Sequence, residues 1–290
     1  VSSFVISILV SYERKGDNVM KLVDSHAHVF KPGLKLAAVR RYAPTYTASK
    51  EDFIYNFESK GLEVGVLIQP SFLGTDNSHM IEAIKTNPTK LYGVAVVEPS
   101  ISLAELKELD THNIIGIRLN LYGVEQPDLT SDEWKTCLFY IKQLDWHVEL
   151  HTDAVNLSTF VEPLLKAGVK IVIDHWGKPT VDNPLEDEGF KYMLSIGATN
   201  RVWVKISGVY RLKKGADFDS CQGLAKQMLP NLLESYGPKR LLWGSDWPHT
   251  NFESDINYDA TWESFVDMVP DEIVRNTILG ESFAELLPQK

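Results

Sequence analysis

Eight short apolar, β-rich runs alternate with amphipathic runs from residue 22 onward, and this alternation constrains the possible folds of the chain most strongly. Nearly continuous apolar runs are typical of strands that are buried on both faces. The predicted strands are 22–28, 64–70, 91–98, 114–121, 147–152, 170–176, 202–209 and 240–246. Strand–helix alternation repeated eight times predicts an α/β fold of the TIM type, a (β/α)₈ barrel of parallel strands.

A doubly wound sheet is the alternative, but the glycine-rich turn that such folds use for dinucleotides is absent after the first run. Helices are expected between the strands. Ser49 with Asp52, and Thr130 with Glu133, have the spacing of capping boxes and predict two helix starts. The other helical segments are predicted at 77–86, 102–110, 156–167, 187–196, 222–236 and 258–268, with a helical tail at 271–287.

The fifth predicted strand has a polar face, which is unusual for a central strand. His147, Glu149 and His151 alternate with apolar residues and therefore point to the same side. Such a face is explained if it lines the interior of a barrel. Lys205 points inward from the seventh strand, and alternate strands of a barrel supply one interior layer. The sequence therefore predicts that Glu149 and Lys205 pair inside the barrel.

Four predicted strands end in side chains that bind metals or transfer protons: His26 and His28, then His151, His175 and Asp246. The carboxyl ends of barrel strands form one mouth, where active sites lie. His26 and His28 are two residues apart and point the same way, which suits one shared metal ion or two donors to one oxygen. Asp246 could ligate a metal or take a proton from water. Each residue alone has a structural explanation, but the ordered set favours one active site.

Cationic and polar residues follow the same strand ends. Arg118 and Asn120 share a face of the fourth strand, Lys178 follows the sixth and Arg211 follows the seventh. Such cations would hold substrate carboxylates, although Lys178 is equally well explained as surface charge. We also assign His249, beyond the eighth strand, to substrate binding. The predicted partner is thus a small anionic substrate.

The net charge of −10 argues against a nucleic-acid-binding surface and against binding to an anionic membrane. It does not exclude a small anionic substrate, because local arginines decide that. Two cysteines, Cys137 and Cys221, form neither a disulfide framework nor a cysteine-based zinc site. They are consistent with a reducing, cytoplasmic location.

Residues 1–19 differ from the rest of the chain. Their apolar stretch is shorter than the roughly 20 residues of a spanning helix and lacks the flanks of a signal peptide. We interpret Met20 as the natural start, 1–19 as an N-terminal extension and 20–290 as a single barrel domain. An additional N-terminal strand is the alternative for 1–19.

Six motifs together resemble the amidohydrolase superfamily, and within it the branch similar to 2-pyrone-4,6-dicarboxylate lactonase. They are VDSHAHVF, IQPSFLGTDN, GIRLNL, DHWGKP, KISGVYRL and WGSDWPH, and the resemblance covers roughly residues 20–290. It implies a hydrolase of aromatic compound catabolism that opens a carboxylate-bearing lactone, similar to 2-pyrone-4,6-dicarboxylate or muconolactone, with activated water.

The resemblance also implies roles for the strand-end residues. Asp246 would activate water, while the histidines would polarise the lactone carbonyl, as in the metal-free pyrone lactonase. Other lactonases of the branch use one divalent metal, usually zinc, which His26, His28 and Asp246 would hold here. The fourth strand supplies no lysine or glutamate to bridge two metals, so the expectation is one metal or none.

In the pyrone lactonase, arginines hold the substrate carboxylates. The matching positions here are Arg118, Lys178 and Arg211, with lysine replacing an arginine at 178. Two other functions remain open. Relatives on the same fold decarboxylate aromatic or muconate-type acids with one zinc, and a retained barrel could also be a non-catalytic binding protein. Every side chain that a hydrolase requires is present, which argues against the second.

Overall fold

The computed structural model describes residues 20–289, and eight parallel strands form its centre. The predicted extension 1–19 lies outside the described residues. Each strand pairs in parallel with the next along the chain, which confirms the (β/α)₈ prediction. The strands are β1 (Val23–Ala27), β2 (Val64–Ile68), β3 (Leu91–Ala95), β4 (Ile114–Asn120), β5 (His147–His151), β6 (Lys170–Ile173), β7 (Val202–Lys205) and β8 (Leu241–Leu242).

The barrel closes between the segment that follows β8 and strand β1. Ser25 N donates to Trp243 O at 3.0 Å, and Asp246 N donates to His26 O at 2.9 Å. A parallel bridge between Ala27 and Trp247 continues this pairing. The last strand is only two residues long, so the chain reaches Asp246 through irregular backbone that still follows β1.

Ten α-helices connect and cover the described strands. They are α1 (Lys50–Ser59), α2 (Ser78–Thr86), α3 (Leu103–Asp110), α4 (Asp132–Gln143), α5 (Leu157–Ala167), α6 (Glu188–Ser195), α7 (Phe218–Tyr236), α8 (Tyr258–Met268), α9 (Glu272–Asn276) and α10 (Ser282–Leu286).

The predicted helix caps differ in outcome. Ser49 caps α1, and its hydroxyl accepts from Asp52 N at 3.1 Å, as its spacing predicts. The prediction for α4 is wrong by one residue, because Ser131 caps it by accepting from Trp134 N. Thr130 instead binds the Asp128 carboxylate, which holds the turn before the helix.

Apolar side chains fill two separate layers. Val148 and Leu150 of β5 point outward and belong to the large cluster between strands and helices. Val66 and Val172 point inward and belong to a second cluster, which Phe283 of α10 joins at the amino-terminal end of the barrel. Each fully buried aliphatic or aromatic side chain contributes about 1.5–3 kcal/mol. The opposite, carboxyl-terminal end of the barrel interior is polar.

None of the helices between residues 20 and 289 combines the length and the apolar character that crossing a membrane requires.

Candidate active site

The carboxyl ends of the strands bring together the five predicted strand-end residues. The His26 ring centroid lies 5.1 Å from that of His28 and 4.8 Å from that of His175. The His151 and His175 ring centroids are 5.2 Å apart. Asp246 completes the group, with Oδ1 at 3.7 Å from His26 Nε2 and 3.6 Å from His28 Nε2. All but His151 are buried, and His151 is half-buried.

Two of these residues lie beyond their strands in a left-handed backbone conformation. His175 has a φ of 48° and Asp246 a φ of 59°. Residues other than glycine rarely adopt such angles, and they do so mostly where surrounding contacts enforce them. At Asp246 those contacts are backbone hydrogen bonds, to His26 O at 2.9 Å and from His249 N at 2.8 Å. The backbone, rather than the side chain alone, therefore aims the carboxylate inward.

The two oxygens of Asp246 have different environments. Oδ2 accepts from Tyr210 Oη and from Arg211 Nε, both at 2.7 Å, whereas Oδ1 faces the histidines. Burial alone would raise the pKa of Asp246, but the Arg211 guanidinium and then His175 hold that pKa well below its usual range. Asp246 is therefore an ionised carboxylate with one oxygen fixed and the other presented to the site.

The tautomer of His28 follows from its hydrogen bond. His28 Nδ1 lies 2.8 Å from the carbonyl oxygen of Ile68. A carbonyl only accepts, so Nδ1 carries a proton, and in the neutral ring Nε2 then carries a lone pair. That lone pair faces the Asp246 carboxylate at 3.6 Å. Two electron-rich atoms so close repel each other, and a bound cation or a proton donor beside both relieves the repulsion.

The donor atoms fit a single metal ion. His26 Nε2 is buried with no hydrogen-bond partner among the described residues. Tetrahedral zinc with bonds of about 2.0–2.1 Å places its ligand atoms about 3.3–3.4 Å apart, close to the separations of Asp246 Oδ1 from His26 and His28. A second group, His26, Asp174 and His175, could also hold an ion and shares His26 with the first.

A cluster of four buried charged residues lies beneath the histidines. The predicted pair is confirmed, since Lys205 Nζ donates to Glu149 Oε2. Arg118 Nε and Nη2 donate to Asp174 Oδ2 at 3.2 and 3.0 Å. Lys205 Nζ also lies 3.1 Å from His26 Nδ1, which in turn is 3.5 Å from carboxylate oxygens of Glu149 and Asp174. His26 Nδ1 can therefore accept from the ammonium or donate to a carboxylate.

This environment keeps the buried histidines neutral. Burial, with Lys205 as the next cause, lowers the pKa of His26 well below its usual value. Burial and then Arg118 do the same to His151. Burial lowers the pKa of His175 to about 4, although the Asp246 and Asp174 carboxylates oppose the shift. At neutral pH the three rings can ligate or hydrogen-bond without adding charge.

The cavity above this group contains three of the five residues predicted to bind substrate: Arg118, Asn120 and Arg211. The other two lie outside its lining among the described residues. Lys178 Nζ sits 3.3 Å from the Tyr122 ring centroid and 3.5 Å from Asp153 Oδ1. A larger groove, of about 770 Å³, runs between α2 and α3 but contains none of these residues.

The second residue outside the lining is His249, which is buried. Its ring centroid lies 5.7 Å from that of Tyr210, the residue that donates to Asp246. His249 thus contacts the side chain that orients Asp246. Its assignment to substrate binding stays a prediction.

Sequence reasoning missed three residues of the site, namely Asp174, Tyr210 and Arg41. Asp174 precedes His175, and strand alternation would send the two side chains to opposite faces. The left-handed angles of His175 and Trp176 break that alternation, so both side chains reach the site. Tyr210 lies next to Arg211 in the motif KISGVYRL, and this position in the motif was the signal that could have identified it. Arg41 lies in a long irregular loop without periodicity.

The sequence and the fold of the chain are similar to those of known proteins. The Amidohydrolase family profile matches residues 23–288. The chain is 32% identical over 256 residues to a 2-pyrone-4,6-dicarboxylate hydrolase of Comamonas testosteroni, covering 86% of this chain and 82% of the relative. It is 30% identical to a 4-sulfomuconolactone hydrolase of Rhizobium radiobacter, covering 91% and 88%.

A solved structure is similar along nearly its whole length. It is described as a probable 2-pyrone-4,6-dicarboxylic acid hydrolase of Acinetobacter baumannii with citric acid bound. It superimposes with a TM-score of 0.88 at 36% identity, and the match covers 92% of this chain and 99% of that one.

Proposed function

Since this chain belongs to the amidohydrolase family, we propose that it is a lactonase, a hydrolase that opens a carboxylate-bearing lactone with an activated water molecule. The observation that carries the proposal is the ionised Asp246, which presents one oxygen to His26 and His28 at the floor of a cavity with arginines in its wall. The names of two curated relatives, a pyrone dicarboxylate hydrolase and a sulfomuconolactone hydrolase, support a lactone as substrate.

Asp246 is the general base of the proposed reaction. Its Oδ1 takes a proton from water as the water oxygen adds to the lactone carbonyl carbon. The ring C–O bond then breaks, and the proton returns from Asp246 to the leaving oxygen. One water is consumed, and the products are a carboxyl group and a hydroxyl or enol group on one chain. No serine or cysteine nucleophile is required.

The histidines stabilise the negative charge that develops on the carbonyl oxygen. With Lys205 donating to His26 Nδ1, His26 Nε2 carries a proton and becomes a hydrogen-bond donor toward the cavity. His175 Nδ1 is held by Ser207 Oγ at 2.9 Å, which fixes the direction of its other nitrogen. When bound by His26, His28 and Asp246, a divalent metal such as zinc supplies Lewis acidity for the same carbonyl.

The cavity residues Arg118, Asn120 and Arg211 orient the substrate, and we also assign Lys178 and His249 to substrate binding. Holding the lactone carbonyl next to Asp246 lowers the entropic part of the barrier. The proposed partner is a small anionic molecule, with no nucleic acid and no membrane. We place the protein in the cytoplasm and in aromatic compound catabolism.

A zinc-dependent decarboxylase on the same fold is the second candidate. The same strand-end residues would serve it. The two curated relatives named above are both hydrolases of lactones, and their names favour hydrolysis. The two reactions differ in product, because a decarboxylase releases carbon dioxide and a lactonase releases one proton for each lactone opened at neutral pH.

The test compares Asp246→Asn with Asp255→Asn, an exposed control on the same loop. We expect wild type to open 2-pyrone-4,6-dicarboxylate with proton release and without carbon dioxide, followed by pH-stat titration and headspace analysis. Asp246→Asn should lose about 10²–10⁴-fold in kcat while keeping its circular dichroism spectrum, and Asp255→Asn should match wild type. Near-normal turnover by Asp246→Asn, or carbon dioxide release by wild type, would contradict the assignment.

The metal is tested on the same preparation, purified without added metal. About one equivalent of zinc, with activity lost on chelation and restored by zinc, would support a single metal ion, for which we propose His26, His28 and Asp246 as ligands. Full activity in metal-free protein would assign the chemistry to the side chains alone.

A further inference from the structure

Arg41 reaches the active-site cavity from the loop between β1 and α1. Its Nη2 donates to Asn120 Oδ1 at 3.0 Å, and its Cζ lies 4.8 Å from the centroid of the Tyr122 ring. Asn120 ends β4 and is in register with His151 at the end of β5. The guanidinium is therefore anchored next to the catalytic histidines although the loop itself is irregular.

The other cations of this region contact carboxylates of the protein. Arg118 pairs with Asp174 at 3.0 Å and Arg211 with Asp246 at 2.7 Å. Lys178, at the rim, lies 3.5 Å from Asp153. By contrast, within residues 20–289 no carboxylate oxygen lies within 4.0 Å of the Arg41 guanidinium. Arg41 thus supplies a positive charge in the cavity wall that no contacting side chain neutralises.

The surroundings of Arg41 favour an anion. Partial burial and then repulsion from Arg118 lower the pKa of Arg41, with a further contribution from Arg211, while Tyr122 and the Asp153 carboxylate oppose part of this shift. A guanidinium remains protonated despite such a shift, because its ordinary pKa lies above 12. An anion placed among these groups relieves the repulsion. Since Asn120 occupies only one of the five N–H donors, the others remain available for a bidentate contact.

We propose that Arg41 is a specificity-determining residue that binds a second anionic group of the substrate, a carboxylate or sulfonate remote from the scissile lactone carbonyl. The proposal rests on the proposed lactonase function for the identity of the reaction. This subsite lies beside Asn120 and Tyr122, the two side chains that the Arg41 guanidinium contacts. Lactones that carry two anionic groups are then preferred over those that carry one.

The test measures ligand binding and so does not depend on turnover. Isothermal titration compares benzene-1,3-dicarboxylate with benzoate on wild type, Arg41→Met, Arg41→Lys and the matched control Arg40→Met. Arg40 precedes Arg41 and is exposed as Arg41 is, but its guanidinium donates to Ala37 O, a carbonyl of its own loop, and it lies outside the cavity lining. Loss of a charged hydrogen-bonded contact corresponds to about 10–100-fold in affinity.

We expect Arg41→Met to weaken dicarboxylate binding about 10–100-fold and benzoate binding less than about threefold. Arg41→Lys should recover part of the loss, and Arg40→Met should leave both affinities unchanged. Equal weakening of both ligands would overturn the proposal. So would an unchanged ratio of the two affinities, or wild type that binds the dicarboxylate no more tightly than benzoate.

The two proposals fail separately. If the protein opens no lactone but Arg41→Met lowers the ratio of dicarboxylate to benzoate affinity, the lactonase proposal is refuted and the Arg41 subsite is supported. If wild type and Arg41→Met both open 2-pyrone-4,6-dicarboxylate with the same KM, the lactonase proposal is supported and the Arg41 subsite is refuted.

Discussion

Replacement of Lys205 by methionine should destabilise the barrel strongly, and more at high pH than at low pH. The Lys205 side chain is buried, and its ammonium group contacts Glu149 and lies 3.7 Å from Asp174 Oδ1. With both carboxylates ionised, Lys205 and Arg118 balance the charge of the cluster. Methionine has a similar volume, so the substitution removes the charge and leaves little cavity.

The size of the effect follows from these contacts. At an effective dielectric constant of about 20, charges 3.7 Å apart interact by roughly 4–5 kcal/mol. The closer Glu149 contact adds a similar amount, and desolvation of the ammonium offsets a large part of both. Breaking a buried pair by removing one partner costs about 3–5 kcal/mol, and we adopt that range for Lys205→Met at pH 9.

The pH dependence follows from Glu149. Burial and then the Asp174 carboxylate raise the pKa of Glu149 from 4.5 to about 8. A carboxyl group with a raised folded-state pKa binds its proton more tightly when folded, so stability falls as pH rises from about 4.5 to about 8. At pH 6 Glu149 is protonated and uncharged, so the Lys205 ammonium is no longer needed to compensate a buried negative charge on it. The cost of Lys205→Met should therefore fall to about half its pH 9 value.

Urea unfolding of wild type and variants at pH 6 and pH 9 measures these free energies, provided that the m-values agree. Lys226→Met is the matched control, because its ammonium pairs with Asp267 at an exposed site and is worth less than about 1 kcal/mol. The double variant Lys205→Met, Glu149→Gln should recover more than half of the loss at pH 9. A loss below 1 kcal/mol for Lys205→Met at pH 9, or a larger loss at pH 6, would refute the reasoning.

Two further predictions concern packing and catalysis. A Cβ at Gly189 would lie 2.1 Å from the backbone of Ala154, so Gly189→Ala should lower the free energy of unfolding in urea by about 1–3 kcal/mol. Gly223→Ala is the matched control: no atom lies within 4 Å of its Cβ position, and helix propensity should raise the free energy of unfolding by about 0.5–1 kcal/mol. Equal effects of the two substitutions would contradict the close contact at Gly189. The profile of kcat/KM against pH should stay flat between pH 7 and pH 5 and fall below pH 5, because His175 has a pKa of about 4 and must remain neutral. A step in kcat/KM near pH 6.5 would contradict this prediction.

The sequence predicts all eight strands because each is a local apolar run, but it overestimates where several of them end. The sixth run was expected to reach residue 176, yet β6 ends at Ile173 because His175 and Trp176 turn into the left-handed region. The eighth run was expected over 240–246, yet β8 spans only Leu241–Leu242. Pairing with neighbouring strands sets these ends, and a local pattern does not contain that information.

The convergence of the histidines and Asp246 was predictable, since parallel strands in order bring their carboxyl ends to one mouth. The pairing of Arg118 with Asp174 was not, because the two residues are 56 positions apart and local alternation misplaces the aspartate. Arg41 was not predictable either. It is placed by a loop whose position depends on contacts such as that of Tyr42 with Glu253, which lies beyond β8.

Whether the cavity attracts or repels an anion depends on the local pairing of its charges rather than on the net charge of the chain. The chain carries −10 overall, and the proposed base is itself an ionised carboxylate facing the cavity. Arg211, held at the Thr250 carbonyl at 3.0 Å, neutralises that carboxylate and so keeps the base from repelling an anionic lactone. Because the Arg211 guanidinium is already paired with Asp246, the proposed Arg41 subsite adds to the cavity wall a cation that has no carboxylate partner within 4.0 Å among residues 20–289.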